Sequence, residues 1–201
     1  MIVLTDQSNN KVRVPVCWED TSTAMFQRYV SEWDNKDRIK LFCIQTGYDY
    51  DKVKASTDID LEAIIERTTD YVFNTEVHWD HLAVPKTLKV SGKWIALPKK
   101  IEELTIEQNL VIKSRIMLSK DIRELLSVGI AVYIQPIVDG SEFDHDRYKE
   151  IEKEILAMPI LDTYALGFFL LSRLRITGKS GVDFFKKNLQ KLTKNVKISL
   201  N

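Results

Sequence analysis

Apolar and polar residues alternate at the start of the chain, with Ile2 and Leu4, then Val12 and Val14, on either side of Ser8-Asn9-Asn10. A period of two with β-branched residues around an Asn pair predicts a β-hairpin, and Pro15 stops its second strand. The period then lengthens. Met25, Phe26, Tyr29, Val30 and Trp33 recur at helical spacing behind Asp20 or Thr21 as the cap. A second helix runs from Asp37 through Ile39, Leu41, Phe42, Cys43 and Ile44 to Gly47, whose freedom to adopt the left-handed conformation closes it. After a short element at Tyr48 to Asp51, a third helix opens at Thr57 or Asp58 and carries Leu61, Ile64, Ile65, Thr68 and Val72 on one side.

Around Pro85 the pattern resets. Leu88 and Val90, then Ser91-Gly92-Lys93, then Trp94, Ala96 and Pro98 repeat the order of hairpin and proline. Thr105-Ile106-Glu107-Gln108 fits a capping box, so a helix starts there. Ile122, Leu125, Leu126 and Gly129 open another, which continues into the run Ile130 to Ile134; that run fits a helix or a buried strand by period. Helix is the favoured reading, with Pro136 ending it. Tyr148, Ile151, Ile155 and Met158 follow helical spacing, Leu161 to Leu174 is apolar on nearly every face, as in a central buried helix with Phe168 and Leu171 in the core, and Val182 to Val196 returns to an amphipathic stripe.

The fold class is therefore α+β, mainly helical with two short β-hairpins. The boundary falls at Pro85, giving an N-terminal hairpin-plus-helices lobe over 1–84 and a C-terminal one with a basic final helix over 85–201. Val14-Pro15 with Leu97-Pro98, Glu19-Asp20 with Glu102-Glu103 and Lys36-Asp37 with Lys120-Asp121 recur near one offset. These sparse identities fit an internal duplication and two unrelated hairpin-helix segments equally.

Composition narrows the class without naming a function. A 44% hydrophobic content over 201 residues supplies a core, and two cysteines, Cys17 and Cys43, are too few for a disulfide scaffold, which points to a reducing compartment. Neither a signal peptide nor a membrane-spanning run of roughly 18 residues is expected. Lys+Arg 29 balance Asp+Glu 29, so no global field draws the chain to nucleic acid or a membrane. The balance is uneven along the chain. From Arg173 to Asn201 eight basic residues face one acidic residue, +7, and the preceding 172 residues carry −7. As a helix, this tail places Phe185, Leu189, Leu192 and Val196 on one stripe and Lys187, Lys191 and Lys194 on another. A surface helix docked on an acidic body explains this arrangement, as does a partner-binding site at Lys187, Lys191 and Lys194. No reading motif for nucleic acid accompanies it.

Catalytic patterns are sparse. His78 and His81 could share one face of a turn, but no third zinc ligand stands near them. His145 sits between Asp144 and Asp146, where aspartates serve as helix caps. Gly178-Lys179-Ser180-Gly181 lacks the earlier glycine of a phosphate loop and is a linker, and no glycine-rich nucleotide motif or Gly-x-Ser-x-Gly elbow is present. Glu102-Glu103 and the pair Asp49 and Asp51 lack the remaining ligands of a calcium loop and mark helix starts or solvated faces. No catalytic, metal or cofactor site is expected.

Three segments carry a resemblance: Leu97-Pro98 with Ile101-Glu102-Glu103-Leu104-Thr105-Ile106-Glu107-Gln108; Ala131-Val132-Tyr133-Ile134-Gln135-Pro136; and Met158-Pro159-Ile160-Leu161-Asp162-Thr163-Tyr164-Ala165-Leu166-Gly167-Phe168-Phe169. They resemble tail-assembly chaperone and baseplate-assembly proteins of tailed bacteriophages, over about half the chain; Val14-Pro15, Trp18-Glu19-Asp20 and the helix from Asp37 to Gly47 are similar in flavour. The resemblance implies a mostly helical, non-enzymatic protein-binding scaffold acting in the host cytoplasm during assembly, with phage tail or baseplate proteins, or a second copy, as partners. The alternative is a structural component kept in the mature particle, and an enzyme of unknown type is third. The pattern consists of core and cap residues, so no functional residue transfers from it.

Overall fold

The structure is a computed structural model that describes residues 1–5, 10–32, 35–75, 77, 79–97, 104–119 and 121–173. It is mainly helical, with two separate two-stranded antiparallel sheets. Strands β1 (Ile2–Thr5) and β2 (Lys11–Val14) pair from Ile2↔Val14 to Thr5↔Lys11. Strands β3 (Thr87–Val90) and β4 (Lys93–Ala96) pair from Thr87↔Ala96 to Val90↔Lys93. Both hairpins stand where the alternation places them. The second closes through Ser91 at φ 51 and Gly92 at φ 75, the pair of left-handed residues that a two-residue turn needs to match strand twist. Serine tolerates this because the Glu154 carboxylate accepts from Ser91 N at 2.6 Å and Oγ at 3.0 Å.

The helices are α1 (Thr23–Glu32), α2 (Arg38–Thr46), α3 (Tyr50–Lys54), α4 (Ile59–Asn74), α5 (Ile106–Leu118), α6 (Leu126–Asp139), α7 (His145–Ala157) and α8 (Ile160–Arg173). Short 3₁₀ turns lie at Trp18–Asp20, Trp79–His81 and Ile122–Leu125. Asp37, Asp49, Asp58 and Asp144 cap α2, α3, α4 and α7 by accepting backbone N–H bonds, and Thr105 with Gln108 forms the capping box at α5. Two expectations change. The start of α1 is capped by Ser22, whose Oγ accepts from Met25 N at 3.2 Å; Asp20 is spent in the 3₁₀ turn and Thr21 faces the core. Pro136 does not end α6, which runs to Asp139 and stops at Gly140 with φ 63.

The reason Pro136 is tolerated lies on another helix. A proline at position 136 leaves the Val132 carbonyl without its intrahelical N–H. Gln108 Nε2 from α5 donates to that carbonyl at 2.7 Å, while Gln108 Oε1 accepts from Thr105 N at 2.9 Å. One buried side chain thus completes the cap of α5 and repairs the break in α6.

Helix α6 is the axis of the fold. It is continuous helix through the Ile130 to Ile134 run, and every residue from Leu126 to Gln135 is buried. It packs chiefly on α7 and α8, with α5 and α1 on its remaining sides. The α6–α8 contact is close. A Cβ at Gly129 would stand 3.0 Å from Leu171 Cδ2, and one at Gly167 would stand 3.0 Å from Leu126 Cβ, so glycine on each helix brings the two together. Leu171 is fully buried, whereas Phe168 is half-buried and stacks on Tyr164 at 5.9 Å, against the expectation that both lie in the core. The main core draws on residues from Trp18 to Leu171, on both sides of Pro85, and a smaller cluster of Phe42, Val53 and Ile65 lies under α2, α3 and α4.

The N- and C-terminal parts are also stitched by backbone. Ser22 bridges Pro159, Thr23 N donates to Met158 O and Ile160 N to Thr21 O, both at 2.8 Å. Thr23 Oγ1 and Thr163 Oγ1 stand 2.6 Å apart across 140 positions of sequence.

Candidate functional site

Among the described residues, those singled out for chemistry do not converge. His81 is exposed in the turn Trp79–His81, and His78 lies outside the described residues. Among the described residues no group of three or more His, Cys, Asp or Glu side chains is placed to hold a metal ion. His145 meets Phe143 and Tyr148 edge-on at 5.2 and 6.3 Å. Beside it, backbone N–H bonds from Arg147 and Asp146 hold the Asp144 carboxyl below its usual range, as a helix cap requires. Asp49 caps α3 and Asp51 stands in its first turn. Burial pushes both thiols, Cys17 and Cys43, upward, which keeps them protonated and poorly nucleophilic. Glu102-Glu103, Gly178 to Gly181 and the partner-binding candidates Lys187, Lys191 and Lys194 lie outside the described residues.

The described interior holds a chain of hydroxyls whose members are too far apart in the sequence to be grouped by spacing. Thr21 Oγ1 and the Tyr71 hydroxyl stand 2.8 Å apart, and the Tyr71 and Tyr29 hydroxyls 3.2 Å; Thr21 Oγ1 donates to the Cys17 carbonyl at 3.0 Å. All three side chains are buried. Burial, reinforced by the neighbouring Tyr71, pushes the Tyr29 phenol far above its ordinary range. Burial also raises Tyr71, against a partial offset from its Thr21 hydrogen bond. Two neutral phenols locked in the core tie α1 to α4 and present neither acid nor nucleophile to solvent. Tyr71→Phe removes the hydroxyl that Thr21 and Tyr29 share, leaving Thr21 only its bond to the Cys17 carbonyl, and is expected to cost about 1–3 kcal/mol, read as a lower urea midpoint with the slope unchanged.

Two surface features remain. A cleft of about 420 Å³ opens between α2, α3 and α4, floored by Ile39, Val53, Leu61 and Ile65 and rimmed by Glu62 and Glu66. Two cations line it, Arg38 and Lys54: the Arg38 guanidinium donates to Thr69 Oγ1 and Asp70 Oδ1, each at 3.1 Å, and lies 5.2 Å from the centre of the Phe73 ring, while Lys54 Nζ lies 5.5 Å from the centre of the Tyr50 ring. No histidine or cysteine lines the cleft, and its hydroxyl-bearing edge serves the turn into α4: Ser56 Oγ accepts from Asp58 N at 3.2 Å, and Asp58 caps the helix.

The second feature is α5. Its inner face buries Gln108, Val111, Ile112 and Ile116 against the core. Its outer face is apolar as well: Ile106 is 80%, Leu110 61%, Met117 85% and Leu118 82% exposed. Ile106, Leu110, Lys113 and Met117 form one row at spacings i, i+4, i+7 and i+11, with Arg115 exposed on the same helix. Such concentration differs from the scattered exposed apolar residues of ordinary surfaces. The signal was present in the sequence, since α5 holds too many apolar residues for one stripe, but the capping box drew the reading to its start rather than its second face.

The chain matches no protein-family model, no curated protein and no solved structure. Among the described residues no helix is long and apolar enough to cross a membrane.

Proposed function

We propose that the chain is a non-enzymatic protein-binding component, and that its binding face is the outer row of α5. The observation that carries this reading is the exposure of Ile106, Leu110, Met117 and Leu118 on one helix. Apolar side chains of this size each contribute about 1.5–3 kcal/mol when fully buried, and a helical row at this spacing fits another helix laid along it. Lys113 within the row and Arg115 on the same helix favour a partner helix whose apolar stripe is flanked by carboxylates. The setting, assembly of a bacteriophage tail or baseplate in the host cytoplasm, is supported by the resemblance of the three segments around Thr105, Val132 and Thr163.

Size-exclusion chromatography of the full chain with the tail and baseplate proteins of the same phage is the test. A complex is expected, and Leu110→Asp with Met117→Asp should weaken it by roughly 100-fold while leaving the melting temperature unchanged, because both side chains are exposed. Failure to form a complex with any of these proteins removes the reading. Finding the chain in purified mature particles would instead favour a retained structural component.

A further inference from the structure

The second hairpin offers an open strand edge beside unpaired positive charge. We propose that β4 takes up an extended acidic segment of a partner protein as a third strand, bonded to the outward backbone groups of Trp94 and Ala96, with an apolar side chain of that segment on the Trp94 ring and the carboxylate next to it on Lys93. This surface lies on a different element from the outer row of α5.

The register of the ladder decides which backbone groups are free. Val90 and Lys93 flank the turn at Ser91 and Gly92, and Leu97 N donates to Lys86 O at 2.9 Å. Bonded and non-bonded positions alternate along an antiparallel pair. Lys86 with Leu97, Leu88 with Ile95 and Val90 with Lys93 therefore turn their N–H and C=O groups into the hairpin, while Trp94 and Ala96 turn theirs away from β3. Among the described residues no group bonds to the outward N–H or C=O of Trp94 or Ala96. Of the two strands it is β3 that lies against α7, which leaves β4 as the outward edge. Such an edge is a template for one more strand.

The side chains select what that strand is. The inner face of the hairpin buries Leu88, Val90 and Ile95, whereas Trp94 is 71% exposed on the outer face. Lys89 stands directly across from it in a non-bonded pair, the position at which cross-strand side chains come closest. A large aromatic held in water on a paired strand is an anchor for an apolar side chain. Residues 86–97 include Lys86, Lys89 and Lys93 and no acidic residue. All three lysines are exposed, and among the described residues none of them pairs with a carboxylate; Glu154, which reaches the turn, is taken up by Ser91. This charge opposes the pairing of β4 with a second copy of itself, which would bring two such sets of lysines together, and favours an acidic strand.

Residue-resolved amide exchange of the full chain tests the edge, with a synthetic peptide of alternating glutamate and valine, about eight residues long, as the probe. At about 1 mM peptide the Trp94 and Ala96 amides should exchange about tenfold or more slowly, while Ile95 and Leu97, already in the ladder, stay as they were. Ala96→Pro removes one outward N–H and no ladder bond, so it should abolish the slowing at Trp94 and leave the melting temperature as in wild type. Lys89→Glu with Lys93→Glu should weaken the peptide by about tenfold or more. Unchanged exchange at Trp94 and Ala96 overturns the proposal, as does binding that survives Ala96→Pro, which would show attraction by charge alone. Tighter binding of a single-stranded oligothymidylate, also surviving Ala96→Pro, would instead assign the face to nucleic acid. The Leu110→Asp, Met117→Asp variant should take the peptide as wild type does; loss of binding there would move the peptide to α5 and overturn the proposal.

Discussion

Phe26→Ala is expected to lower the stability of the fold by about 3–5 kcal/mol, a large fraction of the roughly 5–15 kcal/mol that holds a domain folded. Phe26 on α1 is 1% exposed, and its ring meets those of Trp18 at 5.9 Å, Trp79 at 5.2 Å and Tyr164 at 5.7 Å. Those partners come from two 3₁₀ turns and from α8, so the cavity left by truncation opens where three separate parts of the chain meet. Rigid aromatic neighbours collapse poorly into such a space. Phe26→Leu retains more of the volume and should lose clearly less. Urea unfolding of both variants decides the point, and a wild-type midpoint for Phe26→Ala would contradict this account of the core.

Gln108→Leu should cost about 2–4 kcal/mol, which is more than its small change in volume explains. The substitution removes the reciprocal cap at Thr105, a contribution of about 1 kcal/mol, and strands the buried Val132 carbonyl, at about 1–3 kcal/mol. The decisive measurement is a double-mutant cycle with Pro136→Ala. Restoring the N–H at position 136 gives Val132 its own helical partner, so in that background the loss of Gln108 should cost less by about 1 kcal/mol or more. Additive effects would show that Gln108 does not compensate for the proline.

Pro136 also shows where sequence reasoning stops. Local signals were legible wherever one side chain acts on its own neighbours: Asp37, Asp58 and Asp144 as caps, Gly47 as a helix end, and the Thr105 box. Both hairpins followed from alternation together with the turn residues between the strands. At Pro136 the local signal was correctly read and still overruled, because the acceptor it frees is satisfied by a residue 24 positions away. Thr21 is a second case. Its type and position suit a cap, yet its hydroxyl meets Tyr71, 50 residues on, and Ser22 caps α1 in its place.

Surface chemistry was less legible than the core. Periodicity identifies an apolar stripe but carries no statement of what covers it, so in α5 the stripe of Val111, Ile112 and Ile116 and the row of Ile106, Leu110 and Met117 look alike until the fold places one inward.

The joint between Thr21 to Thr23 and Met158 to Thr163 has a consequence for how the chain is made. Thr23 and Thr163 lie 140 residues apart, and translation at roughly 5–20 residues per second separates their emergence from the ribosome by about 7 to 28 seconds. Over that interval Phe26 on the nascent chain has neither Tyr164 nor the rest of α8 to close over it. The N-terminal helices can form early as local structure, but their tertiary partner is synthesised late, so the vulnerable species is a half-made chain with an aromatic face open to other half-made chains. Protection of that face falls to the general chaperones of the translating cell, and slower translation between α1 and α8 lengthens the time for which they are needed.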